Sequence, residues 1–68
     1  MMKKIDDDTL TIVTLIYLYE HQTFTTEKIV PAWIKEWIEE NFPAFGKIEM
    51  KQIIKVLQRM RKKHFIRN

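Results

Sequence analysis

The segment TLTIVTLIYLYEH, from Thr9 to His21, constrains the fold more than any other part of the chain, because it contains a nearly apolar stretch from Leu10 to Tyr19 that only Thr11 and Thr14 interrupt. It follows Asp6, Asp7 and Asp8, which can supply a helix cap and first-turn acids. The run is long enough for more than three helical turns, which favours a helix from about 8 to 21, although its many β-branched residues leave a buried strand open. Its apolar residues cover nearly the whole circumference of a helical wheel. Such a helix must therefore be the central one, packed on several sides.

Length and composition exclude several classes of protein. With 68 residues, no Cys and only two His, the chain allows one small domain, without a disulfide framework or a Cys/His zinc site. The run from Leu10 to Tyr19 is about half as long as a bilayer span, and no small-residue cleavage site follows the basic start. We therefore expect a cytoplasmic protein without membrane attachment, with a flexible tail over 1–8 and a single domain over 9–68.

The residue types present give no support to catalysis. The chain contains neither Ser nor Cys, and a single glycine, Gly46, cannot form a glycine-rich phosphate loop. No carboxylate pair falls at helical spacing on an otherwise apolar face. We interpret Asp6 to Asp8 as a cap with solvated charge and not as a metal site. The sequence thus predicts no enzyme activity, no catalytic or metal-binding residue and no cofactor.

Charge is sorted along the chain. Residues 1–46 carry four Lys against eight acids, a charge of −4, whereas residues 47–68 carry eight Lys and Arg against Glu49 alone, a charge of +7. The helix macrodipole favours cations in a last helical turn and so accounts for Arg61 to Lys63, but it does not explain Lys47 to Arg59. A local positive field of this kind indicates a polyanionic partner.

Two further helices are predicted. A short turn at 26–30 should precede a second helix that has Pro31 at its first position, because proline is tolerated there and destabilises a helix interior. Ile34 and Ile38 form its apolar stripe, and Trp33 and Trp37 on the same side are expected in the core. The loop PAFGK then leads to a last helix at about 48–64.

The last helix has two contrasting faces on a helical wheel. One face is the expected buried stripe, formed by Met50, Ile53, Ile54, Leu57, Met60 and His64. The opposite face has five cations, two amides and no acid: Lys51, Gln52, Lys55, Gln58, Arg59, Lys62 and Lys63. Surface helices usually mix the two signs of charge to gain ion pairs one turn apart. A face that carries only positive charges therefore favours binding to phosphates, and its Arg and Gln side chains can also contact base edges in a major groove.

The order of a buried first helix, a TTEKI start, a second helix and a final basic helix ending RMRKKHFIRN resembles the winged helix-turn-helix superfamily over about residues 9–68. The resemblance implies an all-α, or mainly α, three-helix bundle with a minimal β wing, whose third helix enters the DNA major groove. It also implies that Lys51, Gln52, Lys55 and Arg59 line the groove-facing side, and that Lys62, Lys63 and Arg67 reach flanking phosphates. At most one strand, HFIRN, follows the last helix, so we expect the wing to be missing or vestigial.

A shorter similarity to forkhead-type winged helices covers Trp37, Ile38, Phe42, Pro43 and Phe45, which match a W-I-x-x-x-F-P-x-F signature. We interpret it as convergent packing, because the forkhead recognition-helix signature is absent.

The resulting hypothesis is a small protein that binds double-stranded DNA, a transcriptional regulator that acts as a homodimer. Gln52 and Arg59 are the expected base contacts. The alternative is a protein-interaction module, an inhibitor or antirepressor, that docks an acidic partner through the same basic face. The predicted DNA-binding residues are Lys47, Lys51, Gln52, Lys55, Gln58, Arg59, Lys62, Lys63 and Arg67.

Overall fold

The computed structural model describes residues 5–67, which form a bundle of three α-helices. These are α1 (Asp7–His21), α2 (Pro31–Asn41) and α3 (Met50–Lys62), with short 3-10 turns at Thr26–Lys28 and Pro43–Phe45. Each helix packs against the other two. The predicted all-α three-helix fold is confirmed, and the ambiguous first segment is a helix.

The start of α1 belongs to the folded unit. The Asp6 carboxylate accepts a hydrogen bond of 2.7 Å from the Thr9 N–H, which satisfies one of the free donors of the first turn. Ile5 is buried in the core. The prediction of a flexible tail is therefore wrong for residues 5–8, because the apolar Ile5 side chain and the capping Asp6 fix the chain there. Residues 1–4, which the same prediction included, lie outside the described residues.

The second helix begins at Pro31, as the fixed φ of proline predicts. The turn at Thr26–Lys28 precedes it, as expected. Ile34 and Ile38 are fully buried, but Trp33 is exposed, so the prediction that both Trp residues belong to the core is wrong for that residue. Trp37 packs edge-on against Tyr17, with ring centroids 5.5 Å apart.

The buried line of α3 differs from the predicted stripe. Val56 is fully buried together with Ile53 and Met60, whereas 42% of Ile54 is exposed. His64 is exposed and lies beyond the end of the helix, in a left-handed conformation with φ 65°. At about 100° per residue, the centre of the buried side of α3 lies roughly 60° around the helix from the centre of the predicted stripe.

The twelve apolar side chains of the core come from all three helices and from the segments beside them. They are Ile5, Leu10, Val13, Tyr17, Leu18, Ile34, Ile38, Ile48, Ile53, Val56, Met60 and Ile66.

The chain after α3 folds back onto the connector between α1 and α2. The Arg67 N–H donates to the Phe24 carbonyl at 2.7 Å, and the Thr26 N–H donates to the Arg67 carbonyl at the same distance. Within residues 5–67 this pairing, a bridge between Thr25 and Arg67, is the extent of β-structure. The expected strand HFIRN thus contributes one bridge.

None of the helices between residues 5 and 67 has the length and apolarity that crossing a bilayer requires.

Candidate nucleic-acid interface

The exposed side chains of α3 lie on one side of the helix, which we call the α3 outward face. At about 100° per residue they span roughly 120°. The sequence of α3, MKQIIKVLQRMRK, contains no acid, so the face has a single sign of charge. Its members are Lys51, Ile54, Lys55, Gln58, Arg61 and Lys62.

The Gln52 side chain is hydrogen-bonded within the fold, and the structure does not place it on the α3 outward face with the other predicted residues. Its side-chain amide is half-buried and donates to the Ile5 carbonyl at 2.7 Å and to an Asp7 carboxylate oxygen at 3.3 Å. These bonds connect the start of α1 to the first turn of α3. The residue therefore has a structural role, and the position of Ile5, 47 residues away in sequence, gave no local signal of it.

Lys55, at the edge of the α3 outward face, and Arg59, on the side of α3 that faces α1, are paired with acids of the first turn of α1. The Lys55 ammonium lies 3.1 Å from an Asp7 oxygen, and Arg59 lies 3.9 Å from Asp7 and 3.8 Å from Asp8. Hydrogen bonds from Lys55 and then Gln52 hold the pKa of Asp7 below its ordinary value of 3.8. The Lys55 side chain is still 65% exposed, whereas Arg59 is turned toward the acids. The structure thus offers Arg59 as a partner of α1, which weakens its predicted role as a base contact.

Arg61 is a member of the α3 outward face that the sequence pattern does not place in the predicted site. It is exposed and lies where two shallow clefts meet. On the predicted wheel, Arg61 falls on the side of the buried stripe, because that stripe includes Ile54 and not Val56, and the helix macrodipole accounts for its charge. One cleft is lined by Lys55, Gln58, Arg59, Arg61 and Lys62, and the other by Arg61, Lys62, His64, Ile66 and Arg67.

Three of the cations on and beside the α3 outward face have no acid within ion-pair distance among residues 5–67: Lys51, Arg61 and Lys62. Arg67 also makes no such pair, and its backbone is fixed by the bridge to Thr25. Cations of this kind keep their full charge for an external anion.

Two predicted residues lie apart from this group. Lys63 is exposed at the C-terminal cap of α3 and lines neither cleft. Lys47 precedes α3, at the opposite end from Arg61, and its charge acts on Glu39. The Glu39 carboxylate accepts hydrogen bonds from Lys35 at 2.8 Å and from the Ile48 N–H at 2.9 Å, and both lower its pKa. Lys47 is therefore part of an acidic neighbourhood, and the structure does not bring it to the predicted site.

An apolar groove of about 150 Å³ borders the α3 outward face. Apolar side chains from the connector, the start of α2, α3 and the end of the chain line it, together with the polar residues Thr26, Gln58 and Arg61. The lining residues are Thr26, Ile29, Pro31, Ile54, Leu57, Gln58, Arg61 and Ile66.

Residues 5–67 contain no group of three or more His, Asp or Glu side chains placed to hold a metal ion. No protein-family model, curated protein or solved structure matches the chain.

Proposed function

We propose that the protein binds double-stranded DNA through the α3 outward face, as a small regulator of transcription. The observation that carries the proposal is a helix face without any acid whose cations Lys51, Arg61 and Lys62 have no acidic partner among residues 5–67. Phosphate oxygens are the anions that such a row of cations neutralises, and the release of condensed counterions then drives binding.

The dimensions of α3 suit a major groove. An α-helix with its side chains is about 10–12 Å wide, and the major groove of B-DNA is about 12 Å wide. Gln58 lies in the middle of the face and Arg61 one turn further along it, so these two residues replace Gln52 and Arg59 as the proposed base contacts. Lys51 and Lys62 at the two ends of the face, with Arg67 beside the second cleft, would contact flanking phosphates.

Fluorescence anisotropy with a labelled 20-base-pair duplex tests the proposal. Contacts to about three phosphates, one each for Lys51, Lys62 and Arg67, predict that log K falls with log salt concentration with a slope of about −2.7 between 50 and 200 mM salt. Lys62→Gln should reduce the slope by about 1. The matched control is Lys47→Gln, which also removes one exposed positive charge but lies away from the α3 outward face and should leave the slope unchanged. Affinity that does not respond to salt would contradict the proposal.

A second candidate, an acidic protein partner, is favoured by the apolar groove beside the cations. Phosphate groups make no favourable contact with the apolar side chains of Ile54 and Leu57. An acidic amphipathic helix, in contrast, could place apolar side chains over these two residues and carboxylates beside Arg61. NMR titrations distinguish the two. Duplex DNA should shift the amide signals along the α3 outward face, whereas an amphipathic peptide of Leu and Glu should shift those of Ile29 and Ile66.

A further inference from the structure

The outward side of α1 carries a line of exposed apolar side chains. Ile12, Ile16 and Tyr19 are 60%, 42% and 78% exposed. Their spacing of four and then three residues places them on consecutive turns of one helix face. Leu15 lies beside them and is half-buried. We call these four residues the α1 outer stripe.

The bundle covers the α1 outer stripe only in part: Leu15 packs against the core and Tyr19 meets Phe24 edge-on, with ring centroids 5.9 Å apart, while Ile12, Ile16 and most of the Tyr19 side chain stay exposed. The inner side of α1 already supplies Leu10, Val13, Tyr17 and Leu18 to the core. A helix that is apolar on every side is typical of a buried helix, and the sequence predicts that α1 is packed on several sides. Within residues 5–67, α2 and α3 pack against the inner side of α1 and not against its outward side. An outward side this apolar is explained by a protein surface that covers it.

We propose that a second copy of this chain covers the α1 outer stripe, in a two-fold symmetric, antiparallel pairing of the two α1 helices. The spacing of the stripe is symmetric about the bond between Leu15 and Ile16. An antiparallel pairing centred there sets Ile12 of each copy opposite Tyr19 of the other. A two-fold contact requires a surface that complements itself in this way.

Charge favours the antiparallel over the parallel arrangement. In a parallel pair, Asp8 and Glu20, which are exposed at the two ends of α1, would each lie beside their own copies. Like charges placed side by side destabilise a helix pair. In the antiparallel pair only residues near the two-fold axis meet their own copies, and Leu15 and Ile16 there are both apolar.

The area of the stripe sets the strength of the dimer. A standard interface buries about 800 Å² per partner, and the surface of this chain measures 5240 Å² in total. One face of a helix about 22 Å long offers less than the standard area, so the dimer should dissociate on dilution. None of the stripe residues lines the clefts beside α3. The dimer is therefore compatible with the proposed DNA binding and does not depend on it.

Sedimentation equilibrium over about 5–500 μM protein tests the pairing. The weight-average mass should rise from 8.3 kDa toward twice that value. Ile16→Glu should keep the protein monomeric, because two carboxylates would meet at the axis, and Ile16→Lys should do the same. An equimolar mixture of the two variants should associate again, because opposite charges would then meet.

Ile54→Glu on α3 is the matched control, because Ile54 and Ile16 are equally exposed, at 42%. It should associate like the unchanged protein. Circular dichroism checks that each variant is folded. If an Ile16 variant is unfolded, Tyr19→Lys, at the most exposed position of the stripe, is used in its place.

Four results would overturn the proposal. A monomer at 500 μM would show that the stripe does not bind a second copy. Dissociation by Ile54→Glu would place the contact on α3, and association of Ile16→Glu alone would place it elsewhere. Failure of the mixed variants to associate would exclude the two-fold arrangement. The anisotropy slope of the monomeric variants measures DNA binding separately, so the two proposals can fail independently.

Discussion

The hydroxyl of Thr14 is fully buried on the inner side of α1. It has no hydrogen-bond partner within residues 5–67. An unpaired buried hydroxyl destabilises a fold by about 1–3 kcal/mol relative to an apolar group of the same shape. We therefore predict that Thr14→Val raises the free energy of unfolding by about 1 kcal/mol, as measured by urea denaturation.

Thr11→Val is the control for this effect on the same helix. The Thr11 hydroxyl donates to the Asp7 carbonyl at 2.7 Å, so its removal deletes a hydrogen bond and should give no gain. Equal stabilisation by both substitutions would show that β-propensity or hydrophobicity, and not the unpaired hydroxyl of Thr14, is the cause.

His64 adopts a left-handed conformation just after α3. Its φ is 65°, and the following Phe65 N–H donates to the Met60 carbonyl at 2.9 Å, which closes the helix end. A left-handed residue with a Cβ is strained by about 1–2 kcal/mol, whereas glycine adopts this conformation freely but gains entropy in the unfolded chain. His64→Gly should therefore stabilise the protein by about 0.5 kcal/mol in thermal unfolding. A loss of stability would mean that the imidazole makes contacts that outweigh the strain.

At the scale of elements, two carboxylates connect helices to their neighbours. Asp7 joins α1 to α3 through Lys55 and Gln52, and Glu39 joins α2 to the loop before α3 through Lys35 and the Ile48 N–H. Their pKa values are lowered from 3.8 and 4.5. Both carboxylates thus contribute to stability only when they are ionised.

The sign of the pH dependence follows from these lowered pKa values. The stabilisation is fully present above the ordinary pKa of each carboxyl and is lost as pH falls through its pKa in the folded state. Urea denaturation between pH 2 and 7 should show stability declining below about pH 4.5. Asp7→Asn and Glu39→Gln should each make this decline less steep. Glu36→Gln, on the exposed side of α2 and without an ion pair to residues 5–67, should not.

Local patterns predicted the elements well but not the rotation of α3. Pro31 and the Asp6 cap act on their own neighbours, so the starts of α2 and α1 can be predicted from a few residues. The packing of α3 against α1 and α2 determines which side of α3 is buried. On a wheel, Ile54 and Val56 are both suitable for burial, and only the packing decides for Val56. The rotation of α3 that buries Val56 also places Arg61 on the outward side and Gln52 beside Ile5.

At the scale of the whole molecule, charge is separated more sharply than the net value of +3 implies. Asp7 and Asp8 neutralise the α1 side of α3, while the outward side and the end of the chain stay cationic. The positive field is therefore strongest around Arg61 and Lys62. A ligand with regularly spaced negative charges would be attracted to that end of the molecule first.

We propose that DNA binds to the α3 outward face, and not to the side of α3 that faces α1. The most direct test compares Arg61→Gln with Arg59→Gln, two equal losses of charge separated by two residues. At 100 mM salt, Arg61→Gln should weaken duplex binding about tenfold, as expected for the loss of a base contact. Arg59→Gln should weaken binding no more than about twofold, because Asp7 and Asp8 already compensate its charge. Equal losses of duplex affinity, or a larger loss for Arg59→Gln, would contradict binding through the α3 outward face.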